Sequence, residues 1–215
     1  MKTAKTDELL SIESDEFVWS QGGLSEAHQD ILPVLRAWLK DVGVRCLLDI
    51  GSGNGSVTNN LTQAGIEVTG MEVSESGLAI ARSAHPDICF VQGEVESPIP
   101  AEMVRKFDAV ISVEVIEHLF QPRLLFERAK EALRPRGVLI VTTPYHGYLK
   151  NLALALFGKF DTHWHPLRDY GHIKFFSRKT LTGLFEEQGF QVRRIARVGR
   201  IPQFAKSMII QGVLS

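Results

Sequence analysis

Residues 44–55, Val44-Arg45-Cys46-Leu47-Leu48-Asp49-Ile50-Gly51-Ser52-Gly53-Asn54-Gly55, decide the fold. Val44 to Ile50 reads as a buried strand, and the three alternating glycines read as a tight turn that opens a helix at about Ser56. Such glycines let the backbone reverse sharply and let a ligand lie against bare peptide N–H groups. Asp49, two places before the first glycine, sets the sign of that ligand. A pyrophosphate would face a carboxylate of like charge at short range, whereas a cation would be stabilised there. The competing reading is a strand-to-helix turn that holds nothing.

Ahead of this strand, Ser25 is placed to cap a helix to about Asp41, with His28 at its third position and Gly43 as its stop. Pro33 argues for a later start to that helix. Residues 1–16 read as a polar tail, and Phe17 and Trp19 are expected either to close over the ligand or to cover the core. Beyond Gly55 a helix should run to about Ala64, followed by a strand over 66–71 with Glu72 at its end, 17 residues past Gly55. In a doubly wound sheet that position meets the ribose hydroxyls of a nucleotide. Ser74 caps a third helix, and strands follow at 88–91, 107–113 and 138–142, with a helix over about 122–133 before the last. Five strand–helix alternations define an α/β fold with a mainly parallel, doubly wound sheet. The alternation stops from Tyr145 to Phe176; then Ser177 caps a helix to Gln188, and strands at 190–198 and 207–213 close the chain.

A length of 215 residues, 44% hydrophobic and 23% charged, suits one soluble globular domain. Its expected parts are an N-terminal lid and helix (1–43), a ligand-binding core (44–144), an insertion (145–176) and a C-terminal helix with two strands (177–215). Cys46 and Cys89 both fall in strands read as buried, so they are expected as core residues and not as a disulfide. Met1 to Glu16 lacks the apolar segment of a signal peptide, and no apolar run is long enough to span a membrane, so the expected compartment is the cytoplasm. Charge is uneven: residues 1–145 hold 13 Lys/Arg against 21 Asp/Glu, and residues 146–215 hold 11 against 4. This is either scatter over solvated faces or the mark of an anionic substrate or surface met by the C-terminal part.

Among cationic ligands that carry a nucleoside, S-adenosylmethionine supplies a sulfonium and an α-ammonium group, both suited to Asp49. The chain resembles the class I S-adenosylmethionine-dependent methyltransferases over roughly residues 25–213. The resemblance rests on Asp49-Ile50-Gly51-Ser52-Gly53-Asn54-Gly55, Glu72, Gly93-Glu94, Glu117-His118 and Leu133-Arg134-Pro135-Arg136-Gly137. It implies a seven-stranded Rossmann-like sheet with one antiparallel strand inserted between the fifth and sixth. It also implies cofactor contacts from Asp49, Gly51, Ser52, Gly53, Glu72, Val73, Glu94, Val95 and Val113. Within that class the chain is similar to the ubiquinone-biosynthesis O-methyltransferases and to small-RNA 2′-O-methyltransferases, where a Glu-x-x-Glu-His run helps bind a divalent metal. The matching positions are Glu114, Glu117 and His118, with His172 as the returning histidine, a role for which His146, His163 and His165 compete.

Methyl transfer is an in-line displacement, and an oxygen acceptor needs a base or a metal to become nucleophilic. His118, with Glu117, is the candidate catalytic pair. Glu114, Glu117 and His118 stand at i, i+3 and i+4, so one helical turn would point all three the same way and suit Mg²⁺ or Mn²⁺. A capped helix start with one bonded histidine is the plainer alternative. The insertion carries His146, His163, His165 and His172 with Tyr145, Tyr148, Trp164 and Tyr170, and is expected to build the acceptor pocket. Its apolar run 151–157 reads as a packed lid helix more readily than as a membrane contact, although Lys150 and Lys159 would suit an anionic membrane if the acceptor were lipid-like. The expected acceptor is a small molecule, phenolic or lipid-like; the alternatives are the 2′-hydroxyl of an RNA end and a non-catalytic cofactor-binding module.

Overall fold

A computed structural model describes Trp19, residues 22–164 and residues 170–215. The elements are α1 (Glu26–Asp41), β1 (Cys46–Ile50), α2 (Ser56–Thr62), β2 (Glu67–Glu72), α3 (Glu75–Ala84), β3 (Cys89–Gln92), β4 (Phe107–Val113) and α4 (Pro122–Ala132). They continue with β5 (Leu133–Pro144), α5 (Tyr148–Leu156), α6 (Phe160–Trp164), α7 (Arg178–Glu187), β6 (Phe190–Val198) and β7 (Ser207–Leu214). The seven strands lie in the order β3-β2-β1-β4-β5-β7-β6. β1 to β5 pair in parallel, and β7 runs antiparallel to both of its neighbours, as the sequence reading expected.

Both faces of the sheet are covered because each inner strand is apolar at every second position on both sides. Leu47, Ala109, Ile111 and Ile140 pack under α1 and α2 through Leu35, Leu39, Val57 and Leu61. Leu48, Val110, Leu139 and Ile210 face α4 and α7, where Phe126, Phe185 and Phe190 meet edge to face. α1 begins at Glu26 with a capping box between Ser25 and His28. Pro33 does not delay it: the proline is exposed, and the carbonyl it fails to serve belongs to exposed Gln29 and can be hydrated. Gly43, at φ +67°, ends the helix by donating to the Lys40 carbonyl while Val44 donates to that of Leu39.

Three expectations need correction. Cys89 is exposed, because β3 is the edge strand of the sheet and its first residue faces outward. β5 begins at Leu133, not at Val138; its register jumps between the Phe107–Leu133 and Ala109–Val138 pairs, so Arg134 to Gly137 bulge out around Arg136 at φ +64°. α5 is not a packed lid helix: it has no buried residue, and Tyr148, Leu156 and the following Phe157 are 74–80% exposed. Lys150 turns inward and donates to the carbonyls of Tyr145 (2.9 Å) and Ala205 (3.3 Å), so it does not flank an apolar face as a membrane contact would require. No helix among the described residues is long and apolar enough to cross a membrane.

Candidate active site

The glycine turn sits at the C-terminal end of β1, at the centre of the sheet, where open α/β sheets bind their ligands. Gly51, Gly53 and Gly55 all have positive φ. A methyl group on Gly51 would collide with Val115, and one on Gly53 with Trp19. The Trp19 indole thus lies against the turn, and its backbone N–H donates to Ser76 Oγ at 2.9 Å; Phe17 lies outside the described residues.

Asp49 is buried, and one of its oxygens accepts from Thr58 Oγ1 at 2.7 Å. Its other oxygen and the Ser52 hydroxyl are buried without a hydrogen-bond partner. Burial pushes the Asp49 carboxyl up to about 7, with the Glu72 charge adding to the shift against the Thr58 bond. Glu72 ends β2 and accepts from the N–H groups of Gly53 (2.7 Å) and Ser74 (2.9 Å), so it braces the turn from the neighbouring strand. Val73 is exposed beside it, and Val95 and Val113 are buried at the ends of the neighbouring segments. Glu94 is exposed and accepts from Ser97 Oγ at 2.9 Å.

β4 is followed by Glu114, whose φ of +56° turns the chain into a short 3₁₀ turn over Ile116–His118. Such strain in a residue with a side chain is a mark of functional sites. The turn separates two carboxylates that helical spacing would have aligned. Glu114 accepts from Thr142 Oγ1 (2.9 Å) and Ser207 Oγ (3.3 Å). Glu117 accepts from Thr143 Oγ1 at 3.0 Å, and its other oxygen is buried without a hydrogen bond. That oxygen lies 4.0 Å from His118 Nε2 and 3.9 Å from His172 Nε2. Glu117, His118 and His172 therefore bring one ligand atom each within 4.8 Å of one another, and Glu114 is not a member of the cluster.

Backbone bonds enforce this convergence. Ile173 and Lys174 both donate to the Glu117 carbonyl, at 2.9 and 3.0 Å, which returns His172 to the turn. His118 Nδ1 lies 2.9 Å from the Tyr170 carbonyl and 3.2 Å from that of Gly171. Carbonyls only accept, so Nδ1 carries the hydrogen and the lone pair of a neutral ring sits on Nε2, toward Glu117. Burial holds the Glu114 carboxyl up at about 7, and burial with the Glu114 charge holds Glu117 well above the usual range.

Beside this cluster lies a cavity of about 180 Å³ bounded by His146, Lys150, Trp164, His172, Arg200 and Phe204. His163 borders it too, whereas His165 lies outside the described residues. A larger cleft of about 640 Å³, along Arg45, Glu67 and Asp108, opens at the N-terminal ends of the strands, away from the glycine turn. Sequence reasoning missed Thr58, Thr142, Thr143, Ser207, Lys150 and Arg200. Adjacent hydroxyls closing an otherwise apolar strand at Thr142-Thr143 were the available signal.

A seven-stranded sheet with β7 antiparallel, a glycine turn after β1 and an acid ending β2 defines an adenosylmethionine-binding methyltransferase architecture. The sequence profile of a methyltransferase domain matches residues 24–195, and the chain belongs to that family, whose members act with S-adenosylmethionine. It is 27% identical over 197 residues to the ubiquinone biosynthesis O-methyltransferase of Azorhizobium caulinodans, covering 83% of this chain and 77% of that one. Its fold is similar to that of an S-adenosylmethionine-dependent methyltransferase from Mesorhizobium loti (TM-score 0.69, 21% identity, 89% and 100% of the two chains). It is also similar to that of magnesium protoporphyrin IX methyltransferase from Synechocystis PCC 6803 with bound S-adenosylhomocysteine (TM-score 0.68, 18% identity, 91% and 90%).

Proposed function

We propose that the chain transfers the methyl group of S-adenosylmethionine to a hydroxyl oxygen of a small phenolic acceptor, beside a divalent cation held by Glu117, His118 and His172. One observation carries the reading: a buried carboxylate oxygen without a hydrogen bond faces two imidazole Nε2 atoms at about the same distance. The relative named as an O-methyltransferase supports the acceptor atom.

On the cofactor side, the second oxygen of Asp49 and the Ser52 hydroxyl suit the amino-acid end of the cofactor, and Glu72 suits its ribose. Gly51 and Gly53 let Val115 and Trp19 pack directly against the turn, which suits them to flank the cofactor, and Val73, Glu94, Val95 and Val113 suit the nucleoside. In the reaction the acceptor oxygen forms a bond to the methyl carbon as the sulfur–carbon bond breaks. The electron pair of the broken bond stays on sulfur, giving S-adenosylhomocysteine, and the hydroxyl proton passes to solvent water. A bound divalent cation supplies positive charge that lowers the acceptor's pKa. Thr143 orients Glu117, and the carbonyls of Tyr170 and Gly171 fix the His118 tautomer, as such supporting groups do at metal sites. Without Glu114 the donor set is one carboxylate and two imidazoles, which favours Mn²⁺, Fe²⁺ or Zn²⁺ over Mg²⁺.

Chelation tests the reading. Exhaustive treatment should stop methylation of a catechol probe, Mn²⁺ should restore it, and S-adenosylhomocysteine affinity should change less than about twofold. Turnover that survives chelation would exclude the metal and leave His118 Nε2, beside Glu117 and with its other nitrogen held by the Tyr170 and Gly171 carbonyls, as the proton acceptor.

A further inference from the structure

The C-terminal excess of positive charge has a local counterpart in the cavity beside the cluster. Lys150 and Arg200 stand at its wall, and no carboxylate borders it among the described residues. Lys150 spends two N–H groups on the carbonyls of Tyr145 and Ala205, so its ammonium has a third to offer. The acid acting on it is the buried Glu114, and Arg200 opposes it with like charge. Lys206, also at the wall, is engaged with Glu26 at 3.1 Å and Asp30 at 3.9 Å. Arg200 forms no hydrogen bond or ion pair among the described residues.

The rest of the wall is built for a flat polar ligand. His146 is buried at 6% exposure, and neither ring nitrogen has a hydrogen-bond partner. The Asn151 side chain beside it approaches the ring closely enough to act weakly on its proton, but not in the geometry of a full hydrogen bond. Burial, with Lys150, His163 and His172 nearby, pushes the His146 ring down to about 4, so it is neutral at physiological pH and able to donate as well as accept. Trp164 Nε1 is a further buried donor without a partner. Phe175 lies edge-on to His146 with ring centroids 5.0 Å apart, and 5.1 Å from Trp164. Buried polar groups left in this state cost stability unless something meets them. At about 180 Å³ the cavity holds part of a ligand and not a whole one, since complete sites run to about 300–1,000 Å³.

Resting on the O-methyltransferase reading, the geometry points to a carboxylate-bearing aromatic acceptor, with the carboxylate held by Arg200 and Lys150 and the ring lying along Trp164 and His146. His172 belongs to both the cavity and the metal cluster, so an acceptor anchored here would present its far hydroxyls to that cluster. One guanidinium fork takes the two oxygens of a carboxylate side by side, and the ammonium N–H adds a charge-assisted bond to one of them.

The test is calorimetry on the full chain, saturated with S-adenosylhomocysteine and Mn²⁺. The probes are 3,4-dihydroxybenzoate, its neutral amide and 3,4-dihydroxyphenylphosphonate. The benzoate should bind roughly 10- to 100-fold more tightly than the amide, and that ratio should collapse toward one in Arg200→Gln, an exposed position whose change should not unfold the chain. Lys150→Met should reduce the ratio as well, but it also frees two carbonyls, so Arg200→Gln is decisive. Equal affinities in the unmodified protein, a ratio that survives Arg200→Gln, tighter phosphonate binding, or no binding of any probe would each overturn the assignment. Turnover with S-adenosylmethionine separates this idea from the one beneath it. A charge preference without methylated product sinks the O-methyl reading and spares the subsite, whereas equal methylation of benzoate and amide sinks the subsite alone.

Discussion

Asp49 shows how one side chain links protonation, stability and ligand charge. Its carboxyl is held up near 7, against about 3.9 in the unfolded chain. Between those values the folded state binds the extra proton, so this group's contribution to stability is present at low pH and is lost as pH rises from about 4 to 7. A cation bound beside it reverses the preference by favouring the carboxylate. Affinity for S-adenosylmethionine should therefore rise with pH up to about 7, by at most about tenfold per unit for one proton, and then level off. Calorimetry in buffers of different ionisation enthalpy should find that proton released, and Asp49→Asn should abolish both effects. Glu72 carries two loads, since it accepts from two N–H groups of the turns it braces. Glu72→Ala should weaken cofactor binding roughly thirty- to a thousandfold. It should also lower unfolding free energy by about 1–3 kcal/mol through the stranded donors. Denaturant titration alongside calorimetry separates the two losses.

At the scale of elements, α5 stands out because its apolar side chains face solvent. Leu152→Ser, Leu156→Ser and Phe157→Ser should each change stability by no more than about 0.5 kcal/mol, as befits surface positions. If these residues close over the acceptor, the triple variant raises the acceptor's KM and leaves cofactor affinity unchanged. An unchanged KM would remove α5 from the acceptor site. Helix limits were legible where capping chemistry marked them, at Ser25, Ser74 and Ser177. The turn after β4 was not. Spacing at i, i+3 and i+4 implied a common direction for Glu114, Glu117 and His118, but a positive φ at Glu114 is a tertiary outcome, held by Thr142 Oγ1, which accepts from the Glu114 N–H and donates to its carboxylate.

At the scale of the whole molecule, the alternation of strands and helices could be read from periodicity and the glycine turn, which are local signals, whereas the antiparallel β7 was anticipated only through the resemblance to the methyltransferases. The cavity could not be anticipated, because His146 with Lys150, His172 and Arg200 meet only after three separate segments have docked. The phenylalanine contacts among Phe126, Phe185 and Phe190 tie α4, α7 and β6 together. Phe126→Ala, at a fully buried site, should cost about 3–5 kcal/mol. For a chain of this size that lowers Tm by roughly 2–4 °C per kcal/mol, which thermal denaturation would show. The backbone bonds from Ile173 and Lys174 to the Glu117 carbonyl have a consequence for timing. They fasten the segment carrying one proposed ligand to the residue that supplies another, so any opening of that segment also takes the site apart. A cation held as proposed would then escape only when that segment opens, and the exchange rate of bound Mn²⁺, followed by its relaxation signal, would serve as a clock for that opening.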